Sequence, residues 1–418
     1  MKVLIVNKFL YPNGGSETYI FELGKQLISM GHEVQYFGME HPDRCVGNSV
    51  GAYTTNMDFH GGSKLSKLSA PFKIIYSREA RKKIRQVLDD FSPDVVHLNN
   101  INFQITPSII YEIKDWGKKR EKDLNSQPVK VVFTAHDYQW ICPNHMLYIP
   151  QTGEVCEKCL GGKYVECAKN NCIHGSKMRS ILGTLEGYYY KWRNTYAMVD
   201  IIICPSQFLY DKFATDGKLR DKLVVMHNFI GCDGSELNVA KNNGASYVLY
   251  FGRYDAQKGI PTLMEVCKLL PDIPFVFAGK GPLEEDIDQI DNITNVGFKY
   301  GDELKKLIAD AAFSVYPSEW YENCPFSVME SQIYGTPVIG AEMGGIPELI
   351  QIDETDENST GMLFTAGKVE ELRERIDTLW SDKSRRIKYA DNCHMLKFCD
   401  VKEYVENLLT LYKNGINI

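Results

Sequence analysis

The sequence predicts an α/β fold built as two doubly wound halves, each a mostly parallel sheet with crossover helices. Short β-branched runs alternate with longer amphipathic stretches, as repeated strand–helix–strand units require. The alternation halts at a polar, glycine-rich stretch and then starts again. The 418 residues also exceed what one hydrophobic core usually organises.

In the first half VLIVN, EVQYFG, DVVHLNN, KVVFTAHD and DIIICPS read as strands. In the second, YVLYFGR, FVFAGKG, NVGF, FSVYPS and PVIGAE do the same. HNFIGCDGSELNVAKNNGAS between them reads as a linker, which sets domains at residues 1–227 and 244–395. DVKEYVENLLTLYKN, within 396–418, reads as a helix returning to the first domain. In doubly wound sheets the ligand lies beyond the carboxyl ends of the strands. GGSE, HD, GR, GKG and SEWYENCPFSVMES all follow strands, and two facing domains would gather them at a cleft.

A composition of 44% hydrophobic and 24% charged residues is that of an ordinary globular protein, and a net charge of -7 argues against a general nucleic-acid binder. No apolar run reaches membrane-spanning length. MKVLIVNKFLYPNGGSE has one lysine near its start and a short apolar run ending in a turn, unlike a secretory signal. A cytoplasmic protein is expected, and its twelve cysteines then read as thiols or metal ligands ahead of bridges.

The richest stretch is SEWYENCPFSVMES, residues 318–331. Pro325 suits the first turn of a helix, with Asn323 or Cys324 at the cap. The N–H groups of Phe326, Ser327 and Val328 would then be free to bind an anion such as a diphosphate. At helical spacing Phe326, Met329 and Ile333 share a face, and Glu330 falls about 40° from Phe326. A carboxylate so close to a buried stripe needs donors, which the adjacent hydroxyls of a ribose supply. Pro325 to Glu330 is roughly 7 Å of helix rise, comparable to the span from a nucleotide's phosphates to its sugar. Glu322, in the loop before the helix, would accept hydrogen bonds from a second sugar beyond the phosphates. The plain alternative is an edge carboxylate and a solvated loop charge.

Arg253 and Lys258 lie in YFGRYDAQKGI, at a strand-to-helix corner. Two cations aimed at a departing diphosphate stabilise the transition state more than the ground state, and can replace a metal ion. Gly279 and Gly281 would permit close approach of backbone to a nucleotide, and Gly14 and Gly15 leave a helix start open to phosphate or sugar. VNKFLYPNGGSE nevertheless lacks the dinucleotide fingerprint. His136, at the end of KVVFTAHD, can point into the cleft, although a satisfied structural histidine fits equally. Base choice would involve backbone near Gly297 and Phe298.

These residues resemble the retaining GT-B glycosyltransferases of family 4, also called glycosyltransferase group 1. The resemblance rests on GGSE, HD at 136–137, Arg253 with Lys258, the Glu322 and Glu330 pair, and GGIPELI at 344–350, in order along nearly the whole chain. It implies two Rossmann-like domains facing each other across a cleft, and a nucleotide-diphosphate sugar, UDP- or GDP-linked, held by the second. Arg253 and Lys258 would hold the diphosphate, Glu330 the ribose, and Glu322 and His136 the donor sugar. The sugar would pass with retention to a saccharide or lipid-linked saccharide, in cell-surface polysaccharide synthesis and without a catalytic metal. Ser327 departs from the family, which often has glycine after the phenylalanine.

Two other features stand apart. Residues 140–175 hold Cys142, Cys156, Cys159, Cys167 and Cys172; Cys156 and Cys159 have knuckle spacing, and Cys167 with Cys172 would complete a four-thiolate structural zinc site. Unligated thiols or a redox-labile bridge fit as well, because the second pair is widely spaced. SKLSKLSAPFKIIYSREARKKIRQVL, from Ser63 to Leu88, is a basic island in an acidic chain, as is KMRSILGTLEGYYYKWRN at 177–194. Each reads either as a face for anionic lipid, hence peripheral membrane contact, or as a solvated helix face. A nucleotide-sugar epimerase and a zinc-stabilised, non-catalytic binding protein are the alternative functions.

Overall fold

The computed structural model describes residues 1–56, 75–124, 127–231 and 247–416. The basic island up to residue 74 and most of the expected linker, residues 232–246, lie outside them. The chain divides into two compact units: residues 1–152, 156–228 and 401–418 form one, and residues 153–155 and 229–400 the other.

The first unit is built on a parallel six-stranded sheet: β1 Lys2–Val6, β2 Glu33–Phe37, β3 Val95–Leu98, β4 Lys130–Thr134, β5 Ile201–Cys204 and β6 Leu223–Val225, in the order β2-β1-β3-β4-β5-β6. β3, β5 and all but the first residue of β1 and β4 are buried, as strands covered on both faces must be. The helix Val401–Asn414 belongs to this unit; its buried Tyr404 and Tyr412 bind Tyr19 and His97, at 2.9 Å and 2.5 Å.

The second unit repeats the plan: β7 Val248–Arg253, β8 Phe275–Lys280, β9 Ile293–Asn295, β10 Phe313–Tyr316, β11 Val338–Ala341 and β12 Gly361–Phe364, in the order β9-β8-β7-β10-β11-β12. This is the dinucleotide-fold order, whose direction reverses between β7 and β10. Val248, Phe275, Phe277, Phe313, Ile339 and Phe364 form its core with Leu263, Leu372 and Ile376. The strands expected from the sequence appear, with NVGF shifted back to Ile293–Asn295. Three- and four-residue β6 and β12 add an edge to each sheet.

Candidate active site

In the second unit β10 pairs with β7 only through Phe313–Val248 and Ser314–Leu249, while β7 runs on beside β8 to Arg253–Lys280. The strands therefore part at their carboxyl ends, at the switch point where such sheets hold ligands. Lys258 enters from the β7 side. Its ammonium lies 2.6 Å from Glu322 Oε1, and that same oxygen accepts from Ser318 Oγ at 3.0 Å and Trp320 Nε1 at 2.6 Å. Burial disfavours the charged Lys258, but the Glu322 carboxylate and then Tyr316 outweigh it and hold its pKa above the ordinary value. Tyr316, at the end of β10, lies beside Lys258, whose ammonium stands 5.8 Å from its ring centroid, and near Ser327. One tyrosine thus borders both the cation and the first turn of the helix Phe326–Ile333.

That helix differs from expectation at its cap. Pro325 is the extended residue before it (φ -69°, ψ 121°), with no side-chain cap, so Phe326 is the first helical residue. Proline cannot donate, and a capping Asn323 would require the helix to start earlier. Phe326 and Ser327 have no intrahelical acceptor for their N–H groups. Val328, Met329, Ser331 and Gln332 are buried, with Phe326 and Ile333 packed beside that core. Glu330 is partly buried, its side chain has no hydrogen-bond or ion partner among the described residues, and burial raises its pKa.

Arg253 and Lys258 are not joined: Arg253 is 73% exposed and pairs with Asp255 at 2.6 Å. Gly279 and Gly281 serve packing first. A Cβ at Gly279 would stand 1.9 Å from the Gly252 carbonyl oxygen, and one at Gly281 2.6 Å from Tyr254 backbone. Phe298 follows β9 and is exposed, with Tyr300 stacked on it at 6.2 Å. Two glycines to which the sequence analysis gave no role of their own, Gly344 within GGIPELI among them, shape the loops. Gly259 (φ 74°) would drive a Cβ to 1.8 Å from Pro317 O, and Gly344 (φ 62°) to 2.1 Å from Glu322 O. Their signal lay in the Lys-Gly and Gly-Gly pairs ahead of helical turns.

In the first unit the order reverses between β1 and β3, and a cavity of about 130 Å³ lies beyond their ends. Lys8, Glu17, Asn100, Asn102, Asp137 and His145 are among the residues lining it. Gly14 and Gly15 start a helix between two further lining residues, Asn13 and Ser16. Glu17 is buried, accepting from Asn7 Nδ2 and Ser16 Oγ at 2.9 Å each. It braces the loop besides favouring the helix start. His136 Nε2 meets Asn99 Oδ1 at 2.8 Å, and its ring stands edge-on to Tyr19 at 4.9 Å. Burial raises the Asp137 carboxyl to about 6, against the Gln139 N–H and Lys8, and lowers Lys8. Lys8, Asn102 and His145 were not picked out from the sequence, because they come from three separate loops that only the fold brings together.

Among the described residues no three His, Cys, Asp or Glu side chains are placed to hold a metal ion. Cys156, Cys159, Cys167 and Cys172 therefore do not stand as a formed zinc site. Cys159, Cys167 and Cys172 instead pack with Ile149 and Tyr164, and Cys156 lies at the edge of that cluster. Cys167 and Cys172 are both buried in that cluster.

The family model for Glycosyltransferase Family 4 matches residues 13–233, more than half of the chain, and that for glycosyl transferases group 1 matches residues 237–395. The chain belongs to glycosyltransferase family 4. It is thus a retaining enzyme of GT-B fold that uses a nucleotide sugar. It is 33% identical to the sulfoquinovosyl transferase SQD2 of Arabidopsis thaliana over 157 residues, 36% of this chain but only 30% of that protein's length. It is 24% identical to an uncharacterized 42.6 kDa protein of the Klebsiella pneumoniae cps region, covering 84% of this chain and 88% of that one. The solved structure of Anabaena HepE in complex with UDP superposes with a TM-score of 0.65 at 16% identity, over 98% of each chain. For this family-4 chain, that last likeness speaks to the fold.

Proposed function

We propose that this enzyme moves a sugar from a UDP- or GDP-sugar to a saccharide or lipid-linked saccharide acceptor in cell-surface polysaccharide synthesis, at the cytoplasmic side of a membrane. The observation that carries the donor half is the Lys258 cation beside Tyr316, with the open helix start at Ser327 and, one turn further on, Glu330, whose side chain has no partner among the described residues. A cation beside free N–H groups is an anion site, and an acceptor-only carboxylate nearby suits a diol.

In this reading the N–H groups of Phe326 and Ser327, with Lys258 and Arg253, take the diphosphate, and Glu330 takes the ribose hydroxyls. Val328, expected to join them, instead donates its N–H to Pro325 O at 3.2 Å. Phe298 lies toward the base. Glu322 Oε1 is occupied by its three donors, while Oε2 is free among the described residues to accept from a sugar hydroxyl. His136 offers its second ring nitrogen to the donor sugar. The bond from the anomeric carbon to diphosphate oxygen breaks, the acceptor oxygen bonds on the same face, and the acceptor's proton passes to the departing diphosphate. Lys258 and the helix start stabilise the charge that develops there. The kinship with a cps-region protein supports the polysaccharide setting.

A thermal-shift panel of nucleotide sugars tests this, since a ligand of the native state raises its apparent stability. One UDP- or GDP-sugar should raise Tm, and Glu330→Gln should lose most of that rise. Stabilisation by none of them would sink the reading, and isomerised donor in an acceptor-free incubation would replace it with an epimerase.

A further inference from the structure

The helix Lys177–Trp192 carries an apolar stripe that stands exposed among the described residues. Met178 is 80% exposed, Ile181 43%, Leu185 55%, Tyr188 39% and Trp192 76%. Their spacings of three, four, three and four residues put all five along one side. The helix cannot roll to hide them, because its other side is committed. Ser180, Gly183, Thr184 and Tyr190 are buried. A Cβ at Gly183 would fall 2.5 Å from Ile173 Cδ1, and one at Gly187 2.7 Å from the Tyr164 ring. Thr184 Oγ1 donates to Tyr164 O at 3.0 Å. Scattered exposed apolar residues are ordinary, but an aligned row on one helix marks a docking surface.

The charged residues of the helix at the two ends of the stripe have one sign. Lys177, Arg179 and Arg193 are exposed at its ends. The helix's one acidic residue, Glu186, is buried among its neighbours. On the stripe's flank lies a cavity of about 1080 Å³ whose lining includes Leu185, Tyr189 and Arg193 from this helix and Arg78 and Lys118 from others. The acids there are engaged: Glu79 accepts from Thr55 at 2.6 Å, and Asp115 stands 3.5 Å from Arg81. An apolar row bordered by cations, with an aromatic at one end, matches an anionic bilayer surface, where acyl chains meet the row and phosphates meet the cations. A protein partner would need matching acids at both ends of the row. No helix among the described residues is long and apolar enough to cross a membrane, so this would be a surface attachment.

We propose that the outer face of Lys177–Trp192 lies down on anionic membrane, with Met178, Ile181, Leu185 and Trp192 at the acyl boundary and Lys177, Arg179 and Arg193 at the lipid phosphates. This deepens the lipid-linked acceptor reading by naming the surface that brings the enzyme to its substrate. It does not depend on the donor chemistry.

The test is co-sedimentation of the full chain with vesicles of phosphatidylglycerol and phosphatidylcholine, against phosphatidylcholine alone, at low and high salt. Binding should need the anionic lipid and weaken with salt. Leu185→Gln with Trp192→Gln should lower partitioning at least tenfold, and Arg179→Gln about fivefold. Both sets of changes are at exposed positions, so Tm and the nucleotide-sugar thermal shift should be unchanged. Equal binding to neutral vesicles, or undiminished binding by the double variant, overturns the proposal. So does a wild-type dimer that the double variant converts to monomer, which would make a second copy the occupant. Loss of donor binding with vesicle binding intact would instead sink the functional reading alone.

Discussion

His136 Nε2 stands 2.8 Å from Asn99 Oδ1, while Asn99 Nδ2 points to the carbonyl oxygens of Val6 and His97 at 3.3 Å and 3.4 Å. An amide oxygen only accepts, so the imidazole carries its proton on Nε2 and leaves Nδ1 as an acceptor. Burial lowers the pKa of this ring to about 3, so it is neutral at working pH. Asn99→Asp would offer an anion to the same nitrogen and draw the ring toward the imidazolium, removing the Nδ1 acceptor. Turnover should fall about a hundredfold, with donor binding less affected. A new acidic limb in the pH–rate profile, absent from wild type and recovering as pH rises, would mark the altered protonation.

One buried and two partly buried histidines give stability a pH dependence with a defined sign. Burial lowers His97, His136 and His145 to about 3 each, aided by His136 for the first and Lys8 for the last. Between about 3 and the ordinary 6.5 the unfolded chain binds more protons, so stability falls as pH drops below about 6.5. Burial raises Asp137 to about 6 and Glu186 to about 8, which acts in the opposite sense. The folded state there holds extra protons that are lost as pH rises through those values. Tm should therefore peak near neutrality, and Glu186→Gln should remove most of the decline up to about pH 8 and steepen the acid limb, because the wild-type carboxyl takes up a proton on folding between its ordinary 4.5 and about 8. An unchanged alkaline slope in that variant would disprove the assignment.

Lys258 and Glu322 are paired with side-chain exposures of only 18% and 9%. Removing one partner leaves the other charge buried, so Lys258→Ala should cost about 3 kcal/mol in urea unfolding. Glu322→Gln should cost less, because Ser318 and Trp320 still find an acceptor. If Lys258 also meets the diphosphate, turnover in Lys258→Ala should fall a hundredfold or more even where the protein is fully folded. Stability loss with normal turnover would make the pair a brace for the loop only.

The sheets were legible because VLIVN, KVVFTA, VLYF and FVFA are apolar runs buried on both faces, a pattern that few other structures produce. LVV and GMLF were not, since three or four residues at a sheet edge give no periodicity to read. Glu322, Lys258 and Glu330 were found through their places at strand ends and helix starts. What Glu322 does in the free enzyme was not found. Its three donors come from residues 258, 318 and 320, and only the folded turn at Gly259 brings them together. Gly279 and Gly281 show the converse: a visible motif whose first task is to let two strand ends touch.

Glu330 carries a cost that the proposed ribose contact would offset. With burial raising its pKa and no side-chain partner among the described residues, the charged form is destabilised in the free enzyme. Glu330→Gln should leave ligand-free stability unchanged or higher by about 1 kcal/mol, and raise the donor KM about tenfold by losing a charged acceptor. A lower Tm without donor would show that the carboxylate is structural.

Gly344 bears on whether the loop carrying Glu322 must be held in one place. Its φ of 62° is strained for any residue with a Cβ, and such an atom would stand 2.1 Å from Glu322 O, which already accepts from Gly345 N at 2.8 Å. The obstacle is backbone, so the loop itself has to shift. Gly344→Ala should cost about 2 kcal/mol or more. Because Glu322 moves with that loop, the Lys258 contact should loosen too, and turnover should drop beyond what the unfolded fraction explains. Measuring turnover at a temperature where the variant is fully folded separates the two effects; wild-type rates there would show that the position of Glu322 does not govern the chemistry.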